Sequence, residues 1–109
     1  MTIESVADGF AAFGSPARLA IFLELVKKGP KGCTIKDLQT RFAMPASTLA
    51  HHLRFLSDAS VITQEKQARS VVCRANFERV NYLVAYLMKN CCSEMAEDTD
   101  LPVLEGNLQ

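Results

Sequence analysis

No apolar run in this 109-residue sequence approaches the roughly 20 residues that cross a bilayer. Nothing with the form of a signal peptide precedes Phe10. The chain is therefore expected in the cytoplasm, with no membrane partner. There its four cysteines, Cys33, Cys73, Cys91 and Cys92, are expected as thiols and not as a disulfide framework. Internal repeats and low-complexity tracts are absent. Histidine is scarce: the two present are the neighbours His51 and His52. A thiol enzyme needs a base or an acid converging on its cysteine. Both histidines fall in a helix with another use, described below, so no catalytic role is expected.

Basic residues are missing after Lys89. The net charge of zero hides this asymmetry. Residues 1–93 hold all twelve Lys and Arg against seven acids, leaving +5, while residues 94–109 hold five acids and no base, giving −5. A basic body with an acidic tail fits nucleic-acid binding. Residues 1–93 are expected to form one domain and 94–109 an acidic, disordered tail. Apolar residues make up 49% of the chain, enough for one core. The core of so short a chain is thin, which favours a dimer.

What is present is a pattern of helices around a turn. A first helix is expected from about Ile3 to Phe13, broken at Gly14. Ser15-Pro16 reads as a cap followed by proline at the first helical position. The second helix runs to about Lys28, with Leu19, Phe22, Leu23 and Val26 expected inward. Gly29 to Gly32 reads as a loop. Thr34 can cap a short helix, Ile35 to Phe42. Ala43-Met44-Pro45 makes a tight turn, and a further helix runs from Ala46 to Asp58 with Leu49, Leu53 and Leu56 at helical spacing. Val61 to Glu65 and Ser70 to Arg74 read as two strands joined by Lys66-Gln67-Ala68-Arg69. A last helix from about Asn76 carries Phe77, Val80, Leu83, Val84, Leu87 and Cys91 on one stripe, widened by Tyr82, Tyr86 and Met88. That stripe is wider than one core face needs and points to a partner subunit.

The predicted fold is mainly α with a small β-hairpin: a winged helix-turn-helix in the order ααααββα, working as a homodimer. In such a fold the second helix of the motif enters the major groove of double-stranded DNA. Ser47, Thr48, His51 and Arg54 share the face opposite Leu49, Leu53 and Leu56, and are the candidate base or phosphate contacts. His52 lies beside the buried stripe. Arg69, at the tip of the wing, is placed to reach a phosphate or the minor groove.

Gly14-Ser15-Pro16-Ala17-Arg18, Ala50-His51-His52-Leu53, the hairpin wing and the final helix together resemble the ArsR/SmtB family of metalloregulatory repressors, over roughly residues 5 to 92. The run Val84 to Cys92 is similar to the end of arsenic-responsive members. The resemblance implies a homodimeric transcriptional repressor that binds operator DNA and is released by a trivalent arsenical, with no constitutive cofactor. Two departures concern the backbone: relatives usually carry Gly where Ser60 and Ala68 stand. Ser60 would strain a left-handed helix end, and Ala68 argues for a wing turn without positive φ, or for a looser one.

The resemblance also implies several sensing sites, most of which this chain lacks. A Cys-x-Cys arsenite site in the first helix of the motif is reduced here to Cys33 alone, one step early. A zinc site on the last helix would need a histidine there, and none is present. Cys73, Cys91 and Cys92 remain as the candidate arsenic ligands. Two thiolates suit a methylated arsenic(III), and three suit arsenite, because soft ligands favour soft centres. Whether such a site lies within one subunit or between two stays open. Cys33 and Cys73 also read as small buried hydrophobes. Cys91-Cys92, near a helix end and followed by polar residues, reads as accessible. Two other functions compete: a redox or persulfide sensor on the same fold, pairing Cys33 or Cys73 with Cys91 or Cys92, and a protein-interaction module.

Overall fold

A computed structural model describes residues 2–95. The acidic tail expected over 94–109 lies, beyond Met95, outside the described residues.

Each helix starts at a side-chain cap or a turn that the sequence supplies. Thr2 Oγ1 accepts from the Ser5 amide at 3.1 Å and opens α1, Ile3–Ala11. Ser15 Oγ accepts from Arg18 N at 3.3 Å and opens α2, Pro16–Lys28. A single 3-10 turn, Gly29–Lys31, leads to a two-residue strand, β1, Cys33–Thr34. Thr34 Oγ1 then accepts from Asp37 N at 3.0 Å and caps α3, Ile35–Phe42. Ala43 ends α3 in the left-handed region, at φ 49°. Pro45 precedes α4, Ala46–Asp58, without a side-chain cap bond. Strands β2, Ile62–Gln67, and β3, Ser70–Ala75, form the wing, and Asn76 caps α5, Phe77–Lys89.

The winged helix-turn-helix expected from the sequence is present, with one addition. The sheet has three antiparallel strands in the order β1-β3-β2. Cys33, just after the stretch read as a loop, lies in β1 with Cys73 of β3 directly opposite, and Thr34 faces Val72. Two residues carry no alternating pattern, so the sequence could not announce this strand.

Leu49, Leu53 and Leu56 of α4, Leu38 of α3, Val61, Ile62 and Cys73 share one core with Ile21, Phe22 and Leu25 of α2. On α2 Phe22 is buried as expected, but Leu19, Leu23 and Val26, expected inward, are exposed. Helix α2 has two apolar stripes, and periodicity alone does not say which one meets α4 and β3. On α5 only Leu83 is fully buried, and it packs where α1 comes closest. A Cβ on Gly9 would lie 2.8 Å from Leu83 Cδ1, so the α1–α5 contact has no room for a larger residue there. Phe77, Tyr82, Val84, Leu87 and Met88 are exposed.

Ser60 and Ala68 both take positive φ, at 63° and 54°. The wing turn therefore does use the left-handed region, contrary to what Ala68 suggested. Register accounts for this. Gln67 and Ser70 are paired, so only Ala68 and Arg69 connect the strands. Two-residue connections between twisted strands favour turns with positive φ.

Candidate nucleic-acid interface and thiol sites

The face of α4 opposite the core carries Ser47, Thr48, His51 and Arg54, all exposed. Their directions follow from Leu49, Leu53 and Leu56, which are anchored in the core on the other side. Arg54 reaches Asp58 one turn on at 3.9 Å, with both side chains largely in solvent. Such a pair is weak, so the guanidinium is readily available to another anion. Lys36, Gln39 and Thr40 of α3 line a concavity with Ala43, Met44 and Pro45, beside the start of α4. Arg69 stands at the wing tip, exposed, beyond the last strand pair.

His52 is turned inward. Its Nδ1 is buried without a hydrogen-bond partner among the described residues. Burial holds its pKa below the ordinary imidazole value, with His51 and Arg18 adding to the effect. It is kept neutral and packed, while His51 faces solvent.

Arginines tie α4 to its surroundings. Arg18 donates to the carbonyls of Ala12 at 2.8 Å and Ala11 at 3.0 Å, and its guanidinium lies 3.7 Å from the ring centre of Phe55 on α4. Arg79 of α5 donates to Ala59 O, at the end of α4, at 3.2 Å, and to Ser5 O on α1 at 2.8 Å. Asn76 donates to Ser60 O at 2.8 Å. Sequence reasoning missed Arg79 and Asn76, because bonds to backbone carbonyls leave no mark in a pattern of side chains. On the other side of α4, the buried carboxylate of Glu24 sits among Lys27, Lys28 and Arg41, at 3.5, 3.6 and 3.6 Å, and so joins α2 to α3.

The four thiols form two pairs. Cys91 and Cys92 follow the end of α5, are exposed, and have their sulfurs 3.8 Å apart. Adjacent side chains on a continuous helix would point about 100° apart. Here the helix has ended, and Cys92 takes φ 58°. Cys33 and Cys73 face each other across β1 and β3 and are both buried. Burial pushes both thiols up, and Asp37 adds to the effect at Cys33. Gln64, also paired with Cys73, directs its amide at Cys73 Sγ at 3.6 Å, which opposes but does not reverse the effect of burial. Among the described residues no three Cys, His, Asp or Glu side chains converge as a metal-holding group. Within one subunit, then, Cys73 joins Cys33 and not Cys91 and Cys92.

Fold and face together define a winged helix-turn-helix DNA-binding protein. The comparisons carry this further. A helix-turn-helix domain family matches residues 13–65. The arsenical resistance operon repressor of Bacillus subtilis strain 168 is 36% identical over 83 residues, which cover 76% of this chain and 75% of that protein. An ArsR-like transcriptional regulator from Rhodococcus sp. RHA1 is 25% identical with a TM-score of 0.71, covering 80% of this chain and 79% of that one. A second ArsR family transcriptional regulator gives 25% identity and a TM-score of 0.72 over 92% and 98% of the two chains. A homodimeric winged helix-turn-helix domain from Mycobacterium bovis, at 13% identity and a TM-score of 0.66 over 91% and 90%, shares the fold. The chain belongs to the ArsR family of transcriptional regulators. Among its described residues, no single helix is long and apolar enough to cross a membrane.

Proposed function

We propose that the chain is a homodimeric repressor that binds operator DNA and is released when a trivalent arsenical binds Cys91 and Cys92. The observation that carries the effector is the exposed sulfur pair, 3.8 Å apart. Two soft thiolates and one carbon substituent complete a methylated arsenic(III), so a two-sulfur site favours an organic arsenical. The relative from Bacillus subtilis, an arsenical resistance operon repressor, supports the same reading.

The dimer rests on the exposed face of α5. Phe77, Val84, Leu87 and Met88 would leave a contiguous apolar surface in water in a lone subunit. The relative from Mycobacterium bovis is a homodimer of this fold. Two subunits would present their α4 helices to half-sites about one DNA turn apart. Release is then a linkage: the arsenical binds more tightly to a dimer geometry that does not match that spacing. Arg79 and Asn76 supply the connection, since α5 holds the end of α4 by its backbone carbonyls.

The test is operator binding by fluorescence anisotropy at fixed salt, titrated with methylarsenite. The parent should release DNA. Cys91→Ser and Cys92→Ser should bind DNA normally and stay bound, because serine offers a hard, neutral oxygen. Cys73→Ala decides whether Cys73 is a further ligand across the dimer: loss of release would bring it into the site, and normal release would leave the site with two sulfurs. Release of both serine variants by methylarsenite would overturn the assignment. Release of the parent by an oxidant or a persulfide, where arsenicals have no effect, would favour redox sensing.

A further inference from the structure

Cys33 and Cys73 form a second thiol site of a different kind. They are direct partners on adjacent antiparallel strands and belong to the same core cluster, so both side chains lie on one face of the sheet. Facing Cα atoms in such strands are about 4.5 to 5.5 Å apart, inside the range that a disulfide spans. Gly32 fixes the alignment. It takes φ 67°, and a Cβ there would come within 2.5 Å of Cys73 O, so β1 can lie this close to β3 only with glycine before Cys33. The third member of the row is Gln64, whose amide donates to Cys73 Sγ.

The topology gives the pair its meaning. The chain between Cys33 and Cys73 contains α3, α4 and all of β2 with the wing turn, which is the whole DNA-reading module. One bond between these sulfurs would close that module into a single loop. We propose that Cys33 and Cys73 are a cross-strand dithiol that hydrogen peroxide closes to a disulfide, stapling the reading module in its native register. Cys33, on the edge strand and 7% exposed, meets the peroxide first; Cys73 is fully buried. The Cys33 sulfur attacks one peroxide oxygen, the O–O bond breaks, and a sulfenic acid and one water result. The Cys73 sulfur then attacks the Cys33 sulfur, forms the S–S bond and displaces the hydroxyl as a second water. In sum, two thiols and one hydrogen peroxide give one disulfide and two waters. Both sulfurs are buried and protonated at neutral pH, so the reaction is slow next to that of an exposed thiol, which separates this site from a fast sensor. The site is independent of any effector held at Cys91 and Cys92.

The experiment uses the full chain carrying Cys91→Ser and Cys92→Ser, so that only the buried pair can react. After hydrogen peroxide, the denatured protein is alkylated with N-ethylmaleimide, weighed intact and digested without reductant. The expected result is a loss of about two mass units, no maleimide added, and one cross-linked peptide joining Cys33 to Cys73. Closing a loop of roughly forty residues should raise Tm by an amount on the order of 10 °C, reversed by dithiothreitol. Adding Cys33→Ala should abolish the cross-link and the rise. Two maleimides on the peroxide-treated protein, a stable oxyacid at Cys33, or a link between subunits would each overturn the proposal. So would a cross-link that lowers Tm.

Discussion

The two thiol pairs sit in regions that the same chain builds by opposite means. Cys33 and Cys73 are held by strand pairing, a positive-φ glycine and a complete core. Among the described residues, Cys91 and Cys92 are held by the end of α5 and a left-handed turn. The first pair is shielded and kept protonated; the second is open to any soft ligand in solution. A cysteine count cannot separate them. The difference lies in what surrounds each sulfur, and it divides the protein into a helix-turn-helix and sheet built on one core and a last helix whose outer apolar face is exposed.

The sharpest way to break this division is on α5 itself, where Leu83 and Leu87 are one helical turn apart. Leu83 is fully buried and Leu87 is 57% exposed. Sequence periodicity put both on one apolar stripe without dividing it between core and partner, and Leu83 belongs to the subunit's own core. Leu83→Asp should cost more than about 4 kcal/mol and leave unfolded chain, because a charge would be buried without a partner. Leu87→Asp should leave each subunit folded and split the proposed dimer. Circular dichroism and sedimentation read the two outcomes. A folded Leu83→Asp, or a dimeric Leu87→Asp, would erase the boundary between core and interface.

Gly32→Ala attacks the reading module alone. The added methyl group meets the Cys73 carbonyl, and the φ of 67° is strained for alanine. A loss of about 3 kcal/mol is expected, with faster alkylation of Cys33 and Cys73 as β1 leaves the sheet. Alkylation of Cys91 and Cys92 should be unchanged. Equal effects on all four thiols would mean that the regions are not separable.

His51→Ala tests the outer face of the same module. It should weaken specific operator binding by roughly 1–3 kcal/mol with no change in Tm, since the side chain touches solvent and not the core. Arg69→Ala should weaken binding to every sequence and reduce the salt slope. Operator affinities equal to the parent's in both variants would remove α4 and the wing from the interface.

How far the sequence could be read follows the same division. Helix α3 and helix α4 were legible to the residue, because Thr34, the 43–45 turn and three leucines at helical spacing mark them. The exposed polar face of α4 came with them, since an anchored apolar stripe fixes the opposite side. The third strand was not legible, and with it the partnership of Cys33 and Cys73, because that contact joins residues far apart in the chain. Nor was the inward side of α2, where Leu19, Leu23 and Val26 are as apolar as the residues that replace them in the core. The left-handed helix end at Ser60 was expected, but the left-handed residues Ala68 and Cys92 went unseen for a related reason: neither is the glycine that such positions usually advertise.

The smallest expected effect concerns pH, and it acts through the buried pair. Burial raises the Cys33 and Cys73 thiols above their ordinary range in the folded chain. In the unfolded chain the same thiols lose their protons at the lower, ordinary value. The folded state therefore binds more protons across that interval, and stability falls as pH rises through it. The contribution is fully present below the ordinary thiol pKa and is lost toward the raised one. A plot of Tm against pH from about 8 to 10 should slope down more steeply for the parent than for the Cys33→Ala, Cys73→Ala protein. If the two slopes are equal, the shielding of Cys33 and Cys73 by the sheet does not hold their thiols above the ordinary value.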